Sequence, residues 1–271
     1  MNKQQKLQFG LIIFVGFLIW NSLVGRFMDL LIPDASFLQD YLLNKGLFVV
    51  LLLAAMNKAS SLKYFGFERW SSWWFVLPGL PFILLTVLVL LNPNAAYGLS
   101  MSGAVGWVLV SLFVGIGEEV LFRGVLWRAV EARGVWTTAF ATSALFGSVH
   151  LFGLFADWFP WQIAASQAVW AFGAGMMFAA VRLVSGSLLA PIVMHAVFNA
   201  ANLVAGGGIQ DMYNDAFSVE GFLIAGTLFA LWGAVSILIV QKRRAKARHS
   251  ANPRADRSAG ASLPHSTSGY R

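Results

Sequence analysis

Long apolar runs recur along the whole chain, at about 8–24, 41–57, 73–91, 104–131, 135–152, 161–182, 187–204 and 221–240. Each approaches the roughly 20 residues that a helix needs to cross the hydrocarbon core of a bilayer. The runs are continuously apolar and do not alternate every second residue, which argues against a membrane β-barrel. Composition agrees: 58% of the 271 residues are apolar and 11% are charged, against about a quarter charged in soluble domains. The expected fold is an all-α polytopic membrane protein with about eight transmembrane helices. The fourth run is longer than a span requires and must extend beyond the hydrocarbon.

Charge sets the expected topology. With the N-terminus in the cytoplasm, the inner segments collect Lys3, Lys6, Lys58, Lys63, Arg69, Arg123, Arg128, Arg133, Arg182 and the basic residues of the tail. Of the nineteen basic residues only Arg26 and Lys45 fall on the outer side. That bias predicts eight spans with both termini cytoplasmic, in an integral protein of a bacterial inner membrane. Trp70, Trp73, Trp74, Trp158 and Trp161 flank spans as an aromatic belt would. The first run follows Lys3 and Lys6 and lacks a small-residue cleavage site, so it reads as a retained anchor.

Three regions are expected: an N-terminal three-helix region (1–100), a membrane core (101–240) and a basic tail (241–271). The tail begins "KRRAKARH" and turns Ser-, Pro- and Gly-rich, a composition that predicts disorder. Its basic cluster suits anionic lipid headgroups, and no nucleic-acid partner is expected. The chain has no cysteine, which removes disulfides, thiolate nucleophiles and Cys-based metal sites. There is no internal repeat, P-loop or dinucleotide fingerprint, and the oligomeric state has no signature here.

Against this apolar background the stretch "VGIGEEVLFRGVLW" stands out. Each charge at mid-membrane costs roughly 2.5–3.5 kcal/mol or more to insert, and such residues are normally functional. Glu118, Glu119, Arg123, His150, His195 and Asn199 are the intramembrane polar candidates. Glu119 and Arg123 are spaced i,i+4 and can pair on one helix face, which leaves Glu118 as the working carboxylate. Gly115 and Gly117 thin the same helix, chiefly for close packing.

Depth brings these residues together. Glu118 lies about fifteen residues before the turn at Arg133-Gly134, and His150 about sixteen after it. At about 1.5 Å per residue both sit roughly 22–25 Å from that turn, so an antiparallel hairpin brings them level. His195 and Asn199, again i,i+4, share one face of the seventh span. Spans four, five and seven therefore deliver their polar residues into one cavity. Ser148 falls on nearly the opposite face of its helix from His150, which argues against a Ser/His dyad.

These residues resemble the motifs of the CPBP family, the CAAX-protease and bacteriocin-processing (Abi) intramembrane proteases. Glu118-Glu119-Val120-Leu121-Phe122-Arg123 matches its Glu-Glu-x-x-x-Arg motif. Phe146-Gly147-Ser148-Val149-His150 matches Phe-x-x-x-His, and His195-Ala196-Val197-Phe198-Asn199 matches His-x-x-x-Asn. The resemblance covers about residues 104–204. It implies an eight-helix core and a glutamate-dependent endopeptidase whose cavity opens toward the cytosol. On the matching positions it implies that Glu118 and His150 hold and activate water, and that His195 and Asn199 stabilise the oxyanion. Glu119 and Arg123 would support the site.

The implied substrate is a membrane-associated peptide or protein, processed at a CAAX-type or a bacteriocin- or leader-type site. Two histidines and a glutamate are also a zinc set, so Glu118, His150 and His195 are the ligands if zinc is used. No His-Glu-x-x-His pair is present, and the metal-free glutamic mechanism is preferred. Two other classes compete. A secondary transporter could relay protons through buried Glu and His, but no repeat symmetry or pair of interrupted helices is visible. A non-catalytic scaffold with the same fold is the third.

Overall fold

The computed structural model describes residues 1–32, 36–93, 98–154, 160–208 and 218–251. These residues are helical, with no strand among them. In chain order the α-helices are α1 (Lys3–Leu31), α2 (Phe37–Ala59), the short α3 (Leu62–Phe65), α4 (Val76–Leu90) and α5 (Met101–Glu119). They continue with α6 (Trp127–Val130), α7 (Val135–Val149), α8 (Trp161–Ser185), α9 (Leu189–Ala205) and α10 (Val219–Ala251). Seven helical segments are long and apolar enough to cross a membrane, and Leu189–Ala205 is a shorter apolar helix. The eight expected spans thus correspond to seven long helices and a short one.

The fourth span, Met101–Arg133, is not a uniform α-helix. Ser100 caps its start, its hydroxyl accepting from the Gly103 amide. Between α5 and α6 lies a seven-residue π-helical stretch, Val120–Leu126, buried throughout. Such wide turns recur at functional positions because they rotate the residues on either side out of ordinary α-helical register. Here the π stretch begins directly after Glu119 and contains Arg123. A turn at Gly134, with φ of +96°, then reverses the chain into α7; a positive φ there suits glycine.

Helices approach closely around α5 and α8. A Cβ on Gly115 would stand 3.1 Å from Ala196 Cβ on α9, and one on Gly117 would stand 3.3 Å from the Phe48 ring on α2. Both glycines therefore serve packing, as expected. On α10, Gly226 and Gly233 lie seven positions apart and meet the backbone of α8 at Trp170 and Met176. Small residues at that spacing let two membrane helices touch backbone to backbone. The result encloses α8, whose middle is buried from Gly173 to Arg182.

One end of the bundle is stitched by polar contacts. Lys6 Nζ pairs with Glu131 Oε1 at 3.0 Å, and Arg128 Nη1 with Glu131 Oε2 at 2.7 Å. Arg128 Nε also donates to Tyr64 O at 2.7 Å, and Arg244 Nη2 to Leu183 O at 2.8 Å. The start of α1 and the far end of α10 therefore lie at the same end. Trp73, Trp74 and Trp161 are exposed there or at helix ends, as a belt requires; Trp158 lies outside the described residues.

The tail needs a correction. Helix α10 runs on to Ala251, so residues 241–251 are helical where disorder was expected. Gln, Lys, Arg and Ala are strong helix formers, and a helix already nucleated in the apolar segment extends through them. Residues 252–271 lie outside the described part of the chain.

Candidate active site

Glu119 is fully buried on the last turn of α5, and Arg123 is fully buried one turn later. Arg123 Nη1 donates to Glu119 Oε1 at 3.1 Å, the expected i,i+4 pair. A second contact was not expected. His195 Nδ1 lies 3.0 Å from the same Glu119 oxygen. A carboxylate only accepts, so Nδ1 carries the proton and the ring is oriented from behind. Its other nitrogen, Nε2, stands 3.7 Å from Glu118 Oε2. That is too long for a hydrogen bond, but a single oxygen atom can lie within hydrogen-bonding distance of both groups. Glu118 keeps 20% of its side chain exposed, whereas Glu119 keeps none.

His150 closes α7. Its Nδ1 is 2.8 Å from Phe146 O. The carbonyl can only accept, so the proton again sits on Nδ1 and the neutral ring presents a lone pair at Nε2. Glu118, His195 and Arg123 all lie within electrostatic range of His150. Side chains of spans four, five and seven thus lie near one another here. Asn199 is partly buried one turn beyond His195 and makes no hydrogen bond among the described residues. Ser148 is exposed and donates to Leu145 O at 2.8 Å, away from any dyad with His150.

Aromatic rings frame the ions. Phe146 lies 5.1 Å from His150 and 6.0 Å from His195, ring to ring, and 4.5 Å from the Arg123 guanidinium. Phe178 of α8 stacks on His195 at 5.2 Å and 18°, and is 5.6 Å from the guanidinium. Cation–π contact is stronger where water is excluded, so these faces help hold a buried cation. Gly175, also on α8, makes room: a Cβ there would stand 2.8 Å from Arg123 Nη2 and 3.0 Å from Ser143 Oγ. Glu119 Oε2, Arg123 Nε and Nη2, and Ser143 Oγ have no hydrogen-bond partner among the described residues.

Helix α8 therefore shapes the site, although no residue of it was a sequence candidate. Phe178 and Gly175 sit in "AFGAGMMFAA", where aromatic and small residues look like ordinary membrane packing; the density of small residues was the available signal. Lys45 was also missed as a site residue. Expected only as an outer-side charge, it lines a cleft with Glu118.

For a metal ion the fit is poor. Among the described residues no three His, Asp or Glu side chains gather as a metal site requires. Glu118, His150 and His195 approach one another without closing into a ligand set of the kind zinc takes, with donors about 2.0–2.2 Å from the ion.

Comparison with known proteins falls on this same region. Residues 98–201 match the type II CAAX prenyl endopeptidase Rce1-like family. The match contains all six polar candidates, and it bears out the CPBP-type intramembrane protease resemblance drawn from the three motifs. No curated protein and no solved structure matches the chain.

Proposed function

We propose that this protein, with its Rce1-like segment at 98–201, is an intramembrane endopeptidase that hydrolyses its peptide bond with a Glu/His-activated water. The observation that carries the reading is the doubly held His195. Glu119 grips Nδ1 from inside the bundle while Nε2 faces the partly exposed Glu118 across 3.7 Å. That is a base and an oriented imidazole arranged around room for one reacting oxygen.

In the proposed cycle Glu118 and the Nε2 lone pair of His150 hold the water. Glu118 takes one proton as the oxygen attacks the scissile carbonyl carbon, and the C=O π electrons move to the carbonyl oxygen. The oxyanion accepts hydrogen bonds from His195 Nε2–H and from Asn199. In this role both ring nitrogens of His195 donate, Nδ1 to Glu119 and Nε2 to the oxyanion. The oxyanion electrons then re-form the C=O as the C–N bond breaks, the amine leaves with the proton held by Glu118, and the new carboxylic acid passes its remaining proton to that amine, giving a carboxylate and an ammonium. Positioned donors of this kind act where negative charge develops. Glu119 and Arg123 touch no reacting atom; they orient His195. No step runs through a metal.

The substrate class follows the family: a membrane-associated peptide or protein, of CAAX type or of leader type. The basic residues gathered at the stitched end support an orientation with both termini in the cytoplasm. The deciding experiment incubates purified protein in lipid nanodiscs with an S-farnesylated CAAX-type peptide and with leader-type peptides, and reads products by mass spectrometry. Cleavage by wild type that is lost in Glu118→Gln and in His150→Ala supports the reading. Equal cleavage by all three sinks it, and ion flux in proteoliposomes without cleavage would point to a transporter.

A further inference from the structure

Glu118 faces a second group of polar side chains that the hydrolytic cycle leaves unused. A cleft of about 240 Å³, counted to its open mouth, runs between α1, α2 and α5. Trp20, Asn21, Lys45, Phe48, Gly117 and Glu118 line it. Lys45 lies inside the candidate span Phe37–Ala59, where a cation is costly and normally functional.

The ammonium is held, but not neutralised. Lys45 Nζ donates to Asn21 Oδ1 at 2.9 Å and lies 5.1 Å from the Tyr41 ring centre. Asn21 Nδ2 donates back to Phe17 O at 2.8 Å, which fixes the amide with its oxygen toward Lys45. Trp20 Nε1 ties α1 to α2 through Asn44 Oδ1 at 2.9 Å. Lys45 forms no ion pair among the described residues. An ammonium has three donors, and Asn21 uses one of them.

Its level relative to the base is set by packing. A Cβ on Gly106 would meet Leu38, one on Gly46 would meet Phe113, and one on Gly117 would meet Phe48, so α2 runs parallel to α5. Lys45 then stands level with about Phe113, five residues, or about 7.5 Å along the axis, before Glu118. The two charges lie within electrostatic range of each other.

We infer that Lys45, positioned by Asn21, is an anion subsite that binds the free C-terminal carboxylate of the peptide substrate and so sets where the chain is cut. A charge-assisted contact to a carboxylate is the strong partner that an unpaired ammonium lacks. An extended peptide advances about 3.3–3.6 Å per residue. A carboxylate anchored about 7.5 Å from the level of Glu118 therefore places the scissile bond within roughly two to three residues of the chain end. The backbone of an internal segment carries no charge to meet Lys45, whereas every free C-terminal chain end carries a carboxylate. The inference rests on the endopeptidase reading and adds its specificity determinant.

The test uses the full chain in nanodiscs and one fluorescent peptide bearing S-farnesyl cysteine followed by three residues, made as the free acid and as the C-terminal amide. Wild type should cleave the acid with a kcat/KM at least about tenfold above the amide. Lys45→Met should bring that ratio close to one, and Lys45→Arg, which keeps the charge, should restore most of it. A wild-type ratio near one overturns the inference. So does a Lys45→Met change that lowers both rates equally, since Lys45 would then act on Glu118 and not on substrate. If wild type cleaves neither peptide, the endopeptidase reading fails, and the subsite is still judged by binding. Fluorescence anisotropy should then show tighter binding of the acid than the amide in wild type and no difference in Lys45→Met; equal binding in wild type overturns it.

Discussion

The Glu119 carboxylate accepts a hydrogen bond from His195 Nδ1 at 3.0 Å, joining helices α5 and α9 across seventy-six positions of sequence. The same oxygen takes the Arg123 bond at 3.1 Å. Glu119 is thus a relay between a buried cation and an imidazole, with no exposed surface of its own. Two adjacent glutamates in one motif consequently have different work: one holds the site together and the other, partly exposed, faces the cleft.

That division predicts opposite outcomes at neighbouring positions. Glu119→Gln leaves the Arg123 guanidinium buried without its counter-ion, and should destabilise the protein by about 3–5 kcal/mol. Arg123→Met should do the same for Glu119. The double variant Glu119→Gln/Arg123→Met should be more stable than the sum of the singles, because neither buried charge is left alone. Thermal unfolding in a mild detergent measures all three. Additive losses would remove the pair from its structural role.

Glu118→Gln should behave otherwise. Its side chain makes no hydrogen bond that folding depends on, so the unfolding temperature should stay near wild type. Turnover should fall by about 10²–10⁴, the usual contribution of a positioned general base. A variant that retains turnover would transfer the role of base to another residue.

Much of this site was legible because charge inside an apolar run is conspicuous. Glu118, Glu119, Arg123, His150 and His195 each break a stretch that otherwise reads as lipid-facing. The i,i+4 spacing yields the Glu119–Arg123 pair, and counting from the Gly134 turn brings His150 level with Glu118. What escaped has no such contrast. Phe178 and Gly175 are apolar residues in an apolar helix, and only the packing of α8 turns them toward Arg123 and His195. The Glu119–His195 bond depends on how closely Gly115 lets α9 approach α5, a tertiary distance with no local pattern. Lys45 falls near the start of the apolar run at about 41–57, where a lysine reads as a topological charge, whereas α2 begins at Phe37 and places it inside the candidate span.

Asn199 should report on the oxyanion. It makes no hydrogen bond among the described residues, so Asn199→Ala removes a free amide without breaking a structural contact. Stability should change little, while kcat should fall by about 10²–10³ with KM nearly unchanged, as when one oxyanion donor is lost. Steady-state kinetics on a cleaved peptide separates the two parameters. A rise in KM alone would make Asn199 a ground-state binding residue.

Metal dependence has a direct readout. With no ligand cluster among the described residues, exhaustive chelation followed by gel filtration should leave turnover within about twofold of the untreated protein, since hydrolysis here needs only a base and oxyanion donors. Elemental analysis of active protein should find less than one equivalent of zinc. Loss of activity on chelation, restored by zinc, would require Glu118, His150 and His195 to close around an ion.

The tightest test of the packing behind the site is at Gly175. An added methyl there would lie 2.8 Å from Arg123 Nη2 and 2.9 Å from Ser143 Cβ, closer than side chains tolerate. The guanidinium would have to move, and with it Glu119 and the back of His195. Gly175→Ala should therefore destabilise the protein by about 1–3 kcal/mol, as overpacking does, and should lower kcat although Gly175 touches no substrate. Ser143→Gly removes the second obstacle and should recover part of both losses in the double variant. Recovery of stability without recovery of kcat would mean that the guanidinium had not returned to Glu119. Recovery of both would tie the orientation of His195 to the space that one glycine leaves on α8.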